Sequence, residues 1–212
     1  MLLYNYFRSS ASFRVRIALA IKGLSYEYLP IHLLENEQLS PDFRRLSPDG
    51  LVPVLVDADR ELTQSLAICE YLDETHPHPA LLPPDPMGRA RVRALALTIA
   101  CEIHPLNNLR VLRYLKRELG ISDAAKDTWY RHWVESGLLA FEQELETFAP
   151  AGRYCFGDQP TLADVCLIPQ IFNGRRVNCD FSKLPRVMRV FDACMELDAF
   201  QRALPEKQPD AS

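Results

Sequence analysis

An arginine and three serines stand at the mouth of an apolar, helix-patterned run. They read Arg8-Ser9-Ser10-Ala11-Ser12, followed by Phe13-Arg14-Val15-Arg16-Ile17-Ala18-Leu19-Ala20-Ile21 and a stop at Gly23. A helix N-terminus carries unpaired amides and about half a positive charge, so an anion or a nucleophilic thiolate is stabilised there. Ser9, Ser10 and Ser12 add hydroxyl donors at that point. The plainer alternative is that one serine is the N-cap, since the helix needs only one. Gln64 and Ser65 stand at the start of a second such run, Leu66 to His76, which again suits a carboxylate. Pro53 interrupts Leu51-Val52-Pro53-Val54-Leu55 where a central strand excludes proline. Either it is an ordinary edge proline, or it follows a tight bend, cis in geometry, that leaves the Val52 backbone free to pair with an extended peptide.

These residues need elements to hold them. Residues 2–7 read as a buried strand, residues 12–22 as a helix closed by Gly23, and Tyr26 to Leu33 as an edge strand marked by Pro30. A short helical piece at residues 41–46 and a turn at Ser47-Pro48-Asp49-Gly50 precede strands at 51–57 and 60–64, joined by a turn at residues 57–60. The helix after Gln64 has Ser65 as its expected cap. The order is β-α-β followed by β-β-α. The stretch from Pro77 to Pro86 holds five prolines in ten residues and reads as a semi-rigid linker. Beyond it strand signals fade, and helices are expected at about 88–119, 123–148, 162–172 and 184–195. Thr161 and Asp164 form a capping box ahead of the third, a structural role whose loss costs about 1 kcal/mol, more if buried. The expected domains are therefore 1–80 (α/β), a linker at 81–86 and an all-α domain at 87–212.

Composition narrows the classes. A formal net charge of −4 over 212 residues gives no reason to expect nucleic acid or an anionic membrane as partner. Any basic site must be a local gathering of arginines. The cysteines at 69, 101, 155, 166, 179 and 194 show neither C-x-x-C pairing nor a His spacing that suits zinc, so no metal is expected. Most read as buried thiols of a reducing compartment. The N-terminus has no secretory pattern and no run reaches the roughly 18 apolar residues of a spanning helix, so a soluble cytoplasmic protein is expected.

The run Tyr6 to Gly23 closely resembles the signature of zeta-class glutathione transferases, whose members are glutathione-dependent maleylacetoacetate isomerases and the related maleylpyruvate isomerases. The resemblance continues through LVPVL, QSLAICEYLDE, PALLPPDP, IHPLNNLRVL, FGDQPTLADVCLIPQ and AFQRALPEKQPD. It implies a thioredoxin-like N-terminal domain, an all-helical glutathione-transferase C-terminal domain, glutathione as cofactor and a homodimer. It further implies that Ser9 hydrogen-bonds the glutathione sulfur with Ser10 beside it, and that Gln64 and Ser65 hold the γ-glutamyl carboxylate. Val52, before a cis-Pro53, would pair with the cysteinyl portion, and Gln38 and His104 would contact the glycyl or neighbouring parts. Asn108 and Arg110 match positions that face the site, and Arg8 and Arg176 match positions associated with the carboxylates of a dicarboxylate substrate. On sequence alone Arg110, with Arg113, Lys116 and Arg117, also fits a solvated face, Arg175 and Arg176 fit a surface pair, and His104 before Pro105 fits a helix kink.

Many zeta members carry Cys where this chain has Ala11. The attacking sulfur would come from glutathione, so this loss need not abolish isomerisation. The expected activity is cis-trans isomerisation of a diketo dicarboxylate, maleylacetoacetate or maleylpyruvate. The rivals are a transferase conjugating small electrophiles or α-halo acids, and a non-catalytic interaction protein, which the intact Ser9, Pro53, Gln64 and Ser65 set disfavours.

Overall fold

The computed structural model describes residues 1–148 and 152–211. Four short strands form a sheet in the order β2-β1-β3-β4: β1 (Leu2–Asn5), β2 (Glu27–Pro30), β3 (Val54–Asp57) and β4 (Arg60–Thr63). β1 runs parallel to β2 and antiparallel to β3, and β3 runs antiparallel to β4. Pro30 therefore closes an edge strand, where a missing N–H costs no ladder bond. β3 begins one residue after Pro53, so the expected strand at 51–57 loses its first three residues to the bend. The Val52–Pro53 peptide bond is cis.

Helix α1 (Ser10–Ile21) is buried continuously from Ser12 to Leu19, and α3 (Ser65–Thr75) packs against it. Between them lies α2 (Pro41–Leu46), capped by Ser40, whose hydroxyl oxygen accepts from Phe43 N. Lys22, the last residue before the αL glycine at 23, has a fully buried side chain. Its three donors are all used: Asp73 Oδ1 at 2.6 Å, His76 O at 2.7 Å and Pro79 O. The same Asp73 oxygen accepts from Leu81 N at 2.7 Å. A buried ion pair thus pins the entrance of the proline-rich segment to α1 and α3.

By their contacts the residues separate into two compact units, Met1–Leu81 with the chain from Met195 onward, and Leu82–Cys194. The split falls between Leu81 and Leu82, inside the proline-rich stretch from Pro77 to Pro86. The C-terminal boundary differs from the sequence reading, which left 195–212 in the helical domain. The return has a local cause: Arg16, on the buried face of α1, needs acceptors, and Ala203 O supplies one at 3.2 Å.

The helical unit opens with α4 (Pro86–Leu97), whose N-cap Asp85 accepts from Gly88 N at 2.7 Å. The single helix expected over 88–119 is broken. A π-helical turn covers Thr98–Ile103, a 3-10 turn His104–Asn107, and α5 runs over Leu109–Arg117. Pro105 lacks an N–H and its ring clashes with the helical carbonyl four residues earlier, so the chain has to restart. Helix α6 (Asp123–Phe148) matches its expected span, and α7 (Leu162–Arg176) runs four residues past its expected end. Helices α8 (Pro185–Met195) and α9 (Asp198–Arg202) follow, α9 packing on α1. No helix among the described residues is long and apolar enough to cross a membrane, and no group of metal-ligating side chains occurs among them.

Candidate functional site

The sheet register gathers three segments at one end. Tyr4 pairs with Val54, and Val54 with Thr63. The residues leaving β1 (6–9), entering β3 (52–53) and leaving β4 (64–65) therefore emerge side by side. A buried cluster of Tyr6, Phe7, Phe43, Val52 and Val54 joins the first two. A hydrogen bond from Arg14 Nη1 to Ser65 Oγ, 3.3 Å, joins α1 to the start of α3.

Ser9 is the N-cap of α1, in extended geometry, and its hydroxyl oxygen accepts from Ser12 N at 3.2 Å. Its amide donates to Tyr6 O at 3.0 Å. The cap reading and the functional reading are therefore compatible. Capping occupies one lone pair of the oxygen and fixes its place, while the hydroxyl proton has no acceptor among the described residues and remains available to donate. Ser10, the first residue of the helix, is buried, and Ala11 follows it. Arg8 is exposed, with its guanidinium over the Phe7 ring at 4.9 Å from the centroid.

Val52 is buried, yet its backbone N–H and C=O take no partner among the described residues. A buried, unpaired backbone of this kind needs water or a ligand. Gln64 is exposed and held at φ +67°, a costly conformation for a residue with a side chain, and it occupies the N-cap of α3 without a side-chain cap bond. This corrects the expectation that Ser65 caps α3. Ser65 is the first helical residue, buried, and its hydroxyl oxygen accepts from Arg14 instead. Gln38, in a 3-10 turn at Glu37–Leu39, is also buried, and its Oε1 has no partner.

Arg14 is the residue that sequence reasoning missed. It is 2% exposed, and its Nε and Nη2 have no partner. A buried guanidinium without a carboxylate is costly unless something anionic compensates it. It lies behind the α3 N-terminus, where the free amides already favour an anion. The signal was present in the spacing: residues two apart on a helix point about 200° apart, so Arg14 and Arg16 cannot both face solvent.

In the helical unit, His104 follows the π turn, its N–H donating to Ile99 O. Asn108 caps α5, and its Oδ1 accepts from Arg110 N at 3.1 Å, which leaves its amide nitrogen for other contacts. The Arg110 guanidinium is exposed and without a partner among the described residues. The structure separates the two arginines ending α7: Arg175 lies over the Phe191 ring at 4.1 Å, whereas Arg176 is exposed and makes no hydrogen bond or ion pair among the described residues. The Arg176 charge acts on the buried Tyr130 phenol, partly opposing the upward push that burial gives its pKa.

The chain matches the family models for the glutathione S-transferase N-terminal domain at residues 1–74 and C-terminal domain at residues 134–198. It is 49% identical to a protein of Vibrio cholerae described as "probable maleylacetoacetate isomerase", over 100% of this chain and 98% of that one. It superposes with a TM-score of 0.98, at 48% identity and full coverage of both chains, on the holo structure of a maleylpyruvate isomerase described as a bacterial zeta-class glutathione S-transferase. It also superposes, with a TM-score of 0.88, at 44% identity and covering 99% of this chain and 96% of the other, on maleylacetoacetate isomerase from Anaeromyxobacter dehalogenans with bound dicarboxyethyl glutathione and citrate. The α/β unit with its serine-capped first helix, the helical unit that follows and this full-length identity place the chain in the zeta class of the glutathione S-transferase family.

Proposed function

We propose that this protein is a glutathione-dependent cis-trans isomerase of a diketo dicarboxylate, maleylacetoacetate or maleylpyruvate. The observation that carries the reading is the state of Ser9: an oxygen fixed by capping and a hydroxyl proton left to donate. The residues around it suit glutathione. Val52 offers an unpaired backbone in the cis-Pro53 bend to an extended peptide, and Gln64, Ser65 and the buried Arg14 offer cationic and hydrogen-bonding surroundings to its γ-glutamyl carboxylate. In the same reading Gln38, His104 and Asn108 contact its remaining parts.

When bound, glutathione supplies a thiolate that adds to the activated cis double bond, leaves it single while it rotates, and departs unchanged from the trans product. An ordinary thiol has a pKa of about 8.5, and lowering it by about two takes about 2.7 kcal/mol of preference for the thiolate. The Ser9 hydroxyl, donating to a charged acceptor, is worth about 1.5 to 3 kcal/mol, and the α1 N-terminus about 0.3 to 1. Ser10 shapes the same entrance. Arg8, Arg110 and Arg176, which have no carboxylate partner among the described residues, hold the two substrate carboxylates and stabilise the negative charge that builds on the carbonyl oxygen. No protein thiol is required, which fits Ala11.

A homodimer in the cytoplasm completes the reading. The test is to follow loss of each cis substrate with and without glutathione. Turnover should require glutathione without consuming it, and net formation of a thioether would instead favour conjugation of electrophiles. At saturating glutathione, Ser9→Ala should lower kcat by about ten- to a hundredfold, the loss of one hydrogen bond to a charged acceptor. Unchanged turnover would sink the assignment.

A further inference from the structure

The C-terminal tail belongs to the same compact unit as the sheet, and it ends on the segment that carries Ser9. Asp210 Oδ2 accepts from Phe7 N at 3.1 Å, and its other oxygen accepts from the Tyr28 hydroxyl. The opposite side of the same residue is held by Arg16, whose Nη2 donates to Phe7 O at 2.9 Å. The remaining donors of Arg16 go to Asn5 Oδ1 at 3.0 Å, Tyr6 O at 3.4 Å and, in the tail, Ala203 O at 3.2 Å. Both backbone groups of Phe7 are therefore clamped by charged side chains. Arg16 is 1% exposed, and burial pulls its pKa down to about 10, with Asp210 among the groups that oppose the fall.

The tail is itself braced. Gln208 Nε2 donates to Arg202 O at 3.0 Å and Leu204 O at 2.8 Å, the backbone closes from Ala211 N to Gln208 O at 3.0 Å, and Ala211 packs on the cluster of Tyr6, Phe7 and Val52. From Phe7 the geometry passes directly to the site. The Ser9 amide bonds to Tyr6 O, and the Arg8 guanidinium rests on the Phe7 ring.

We propose that Asp210, with Arg16, is a positioning residue: by clamping the backbone of Phe7 the C-terminal tail sets the direction of the Ser9 hydroxyl and the perch of Arg8. The inference rests on the reading of Ser9 given above. A bulk contribution to folding would lower stability without touching the chemistry of the bound sulfur, whereas a misdirected hydroxyl weakens thiolate stabilisation in the folded protein.

The experiment titrates the thiol of bound glutathione by its thiolate absorbance in Asp210→Ala and Asp210→Asn, alongside kcat and the affinity for S-methylglutathione, which has no ionisable thiol. In Asp210→Ala the acid dissociation constant of the bound thiol should fall about tenfold, a pKa rise of about one unit, so that the thiolate fraction at neutral pH falls about threefold and kcat falls with it. Affinity for S-methylglutathione should stay within about twofold, because the carboxylate and backbone contacts are untouched. Asp210→Asn keeps one acceptor oxygen and should give a smaller shift in the same direction, about threefold in the dissociation constant, so the test holds if the alanine variant does not fold. A parental titration in either folded variant overturns the proposal. Ser9→Ala separates the two readings. If it leaves the titration unmoved, the Ser9 assignment fails. If it moves the titration and Asp210→Ala does not, only the clamp fails. In the Ser9→Ala background, Asp210→Ala should add no further shift, because the clamp acts through Ser9.

Discussion

A residue's type says what it can do, and its partners say what it is free to do. Arg175 and Arg176 are indistinguishable by type, and only the family resemblance singled out the second. In the folded chain Arg175 is committed to the Phe191 ring, while Arg176 has no carboxylate to answer among the described residues. Their substitutions should therefore separate. Arg176→Ala should raise the KM for the dicarboxylate about ten- to a hundredfold and leave that for glutathione near its starting value, as expected for one lost contact to a charged ligand group. Arg175→Ala should leave both constants alone and lower stability by about 0.5 to 1 kcal/mol, the range of a cation–π contact at an exposed site. Steady-state kinetics and thermal unfolding decide it, and equal KM changes for the two ligands in Arg176→Ala would remove that residue from substrate reading. Ser9 was legible because a surplus of hydroxyls at a helix start is visible in one dimension. Arg14 was overlooked because arginine reads as a surface residue until the whole circumference of α1 is known to be buried.

Elements were legible where one local rule dominates and obscure where two compete. Pro53 raised the bend as one of two readings, because a central strand excludes proline and an edge strand does not, and α6 was read to its ends from an unbroken helical pattern. The break between α4 and α5 was blurred because apolar spacing runs on through Pro105, so period argued for a helix while proline argued against it. The compromise is the π turn, held by packing that sequence does not display. Gly137 on α6 faces Ile103, and a Cβ there would come within 2.4 Å of Ile103 Cγ1 and 2.6 Å of its Cδ1. Ile103 is 1% exposed and β-branched, so it has little room to turn aside. In an exposed helix Gly→Ala gains about 1 kcal/mol, whereas overpacking a core costs about 1 to 3. The steric term should win. Gly137→Ala is expected to lower the unfolding temperature and, by displacing the turn that carries His104, to raise the KM for glutathione. A stabilised variant with unaltered KM would show that the turn yields freely.

At the scale of the whole molecule the two-part plan was readable from the change of period across Pro77 to Pro86, but the return of the tail was not, because it depends on the buried donors of Arg16 rather than on any pattern in residues 195–211. The same contrast between local pattern and buried surroundings governs how stability should depend on acid. The Thr161 and Asp164 capping box is formed as the sequence predicted, with Asp164 Oδ2 accepting from Thr161 N at 2.7 Å and from its hydroxyl at 2.9 Å, and Oδ1 from Cys155 N at 2.8 Å. Asp164 is also 0% exposed, and burial outweighs those donors, so its pKa is raised. The folded state then holds a proton that the unfolded state has released. This contribution is fully present below the ordinary carboxylate value and is lost as pH rises through the folded pKa. Asp123 has the opposite sign: hydrogen bonds from Lys116 and Lys126 pull it down to about 2 at a fully exposed position, so its contribution is present above the ordinary value and fades as pH falls toward about 2. Denaturant unfolding across pH should show both slopes. The stability difference between the parent and Asp164→Asn should grow in the parent's favour as pH falls from neutral to the ordinary carboxylate value and then level. The difference between the parent and Asp123→Asn should be constant over that range and shrink below it, by less because solvent screens an exposed pair. Parallel curves for both variants would mean that neither carboxyl titrates differently in the folded chain, and the capping box would then owe its strength to its hydrogen bonds alone.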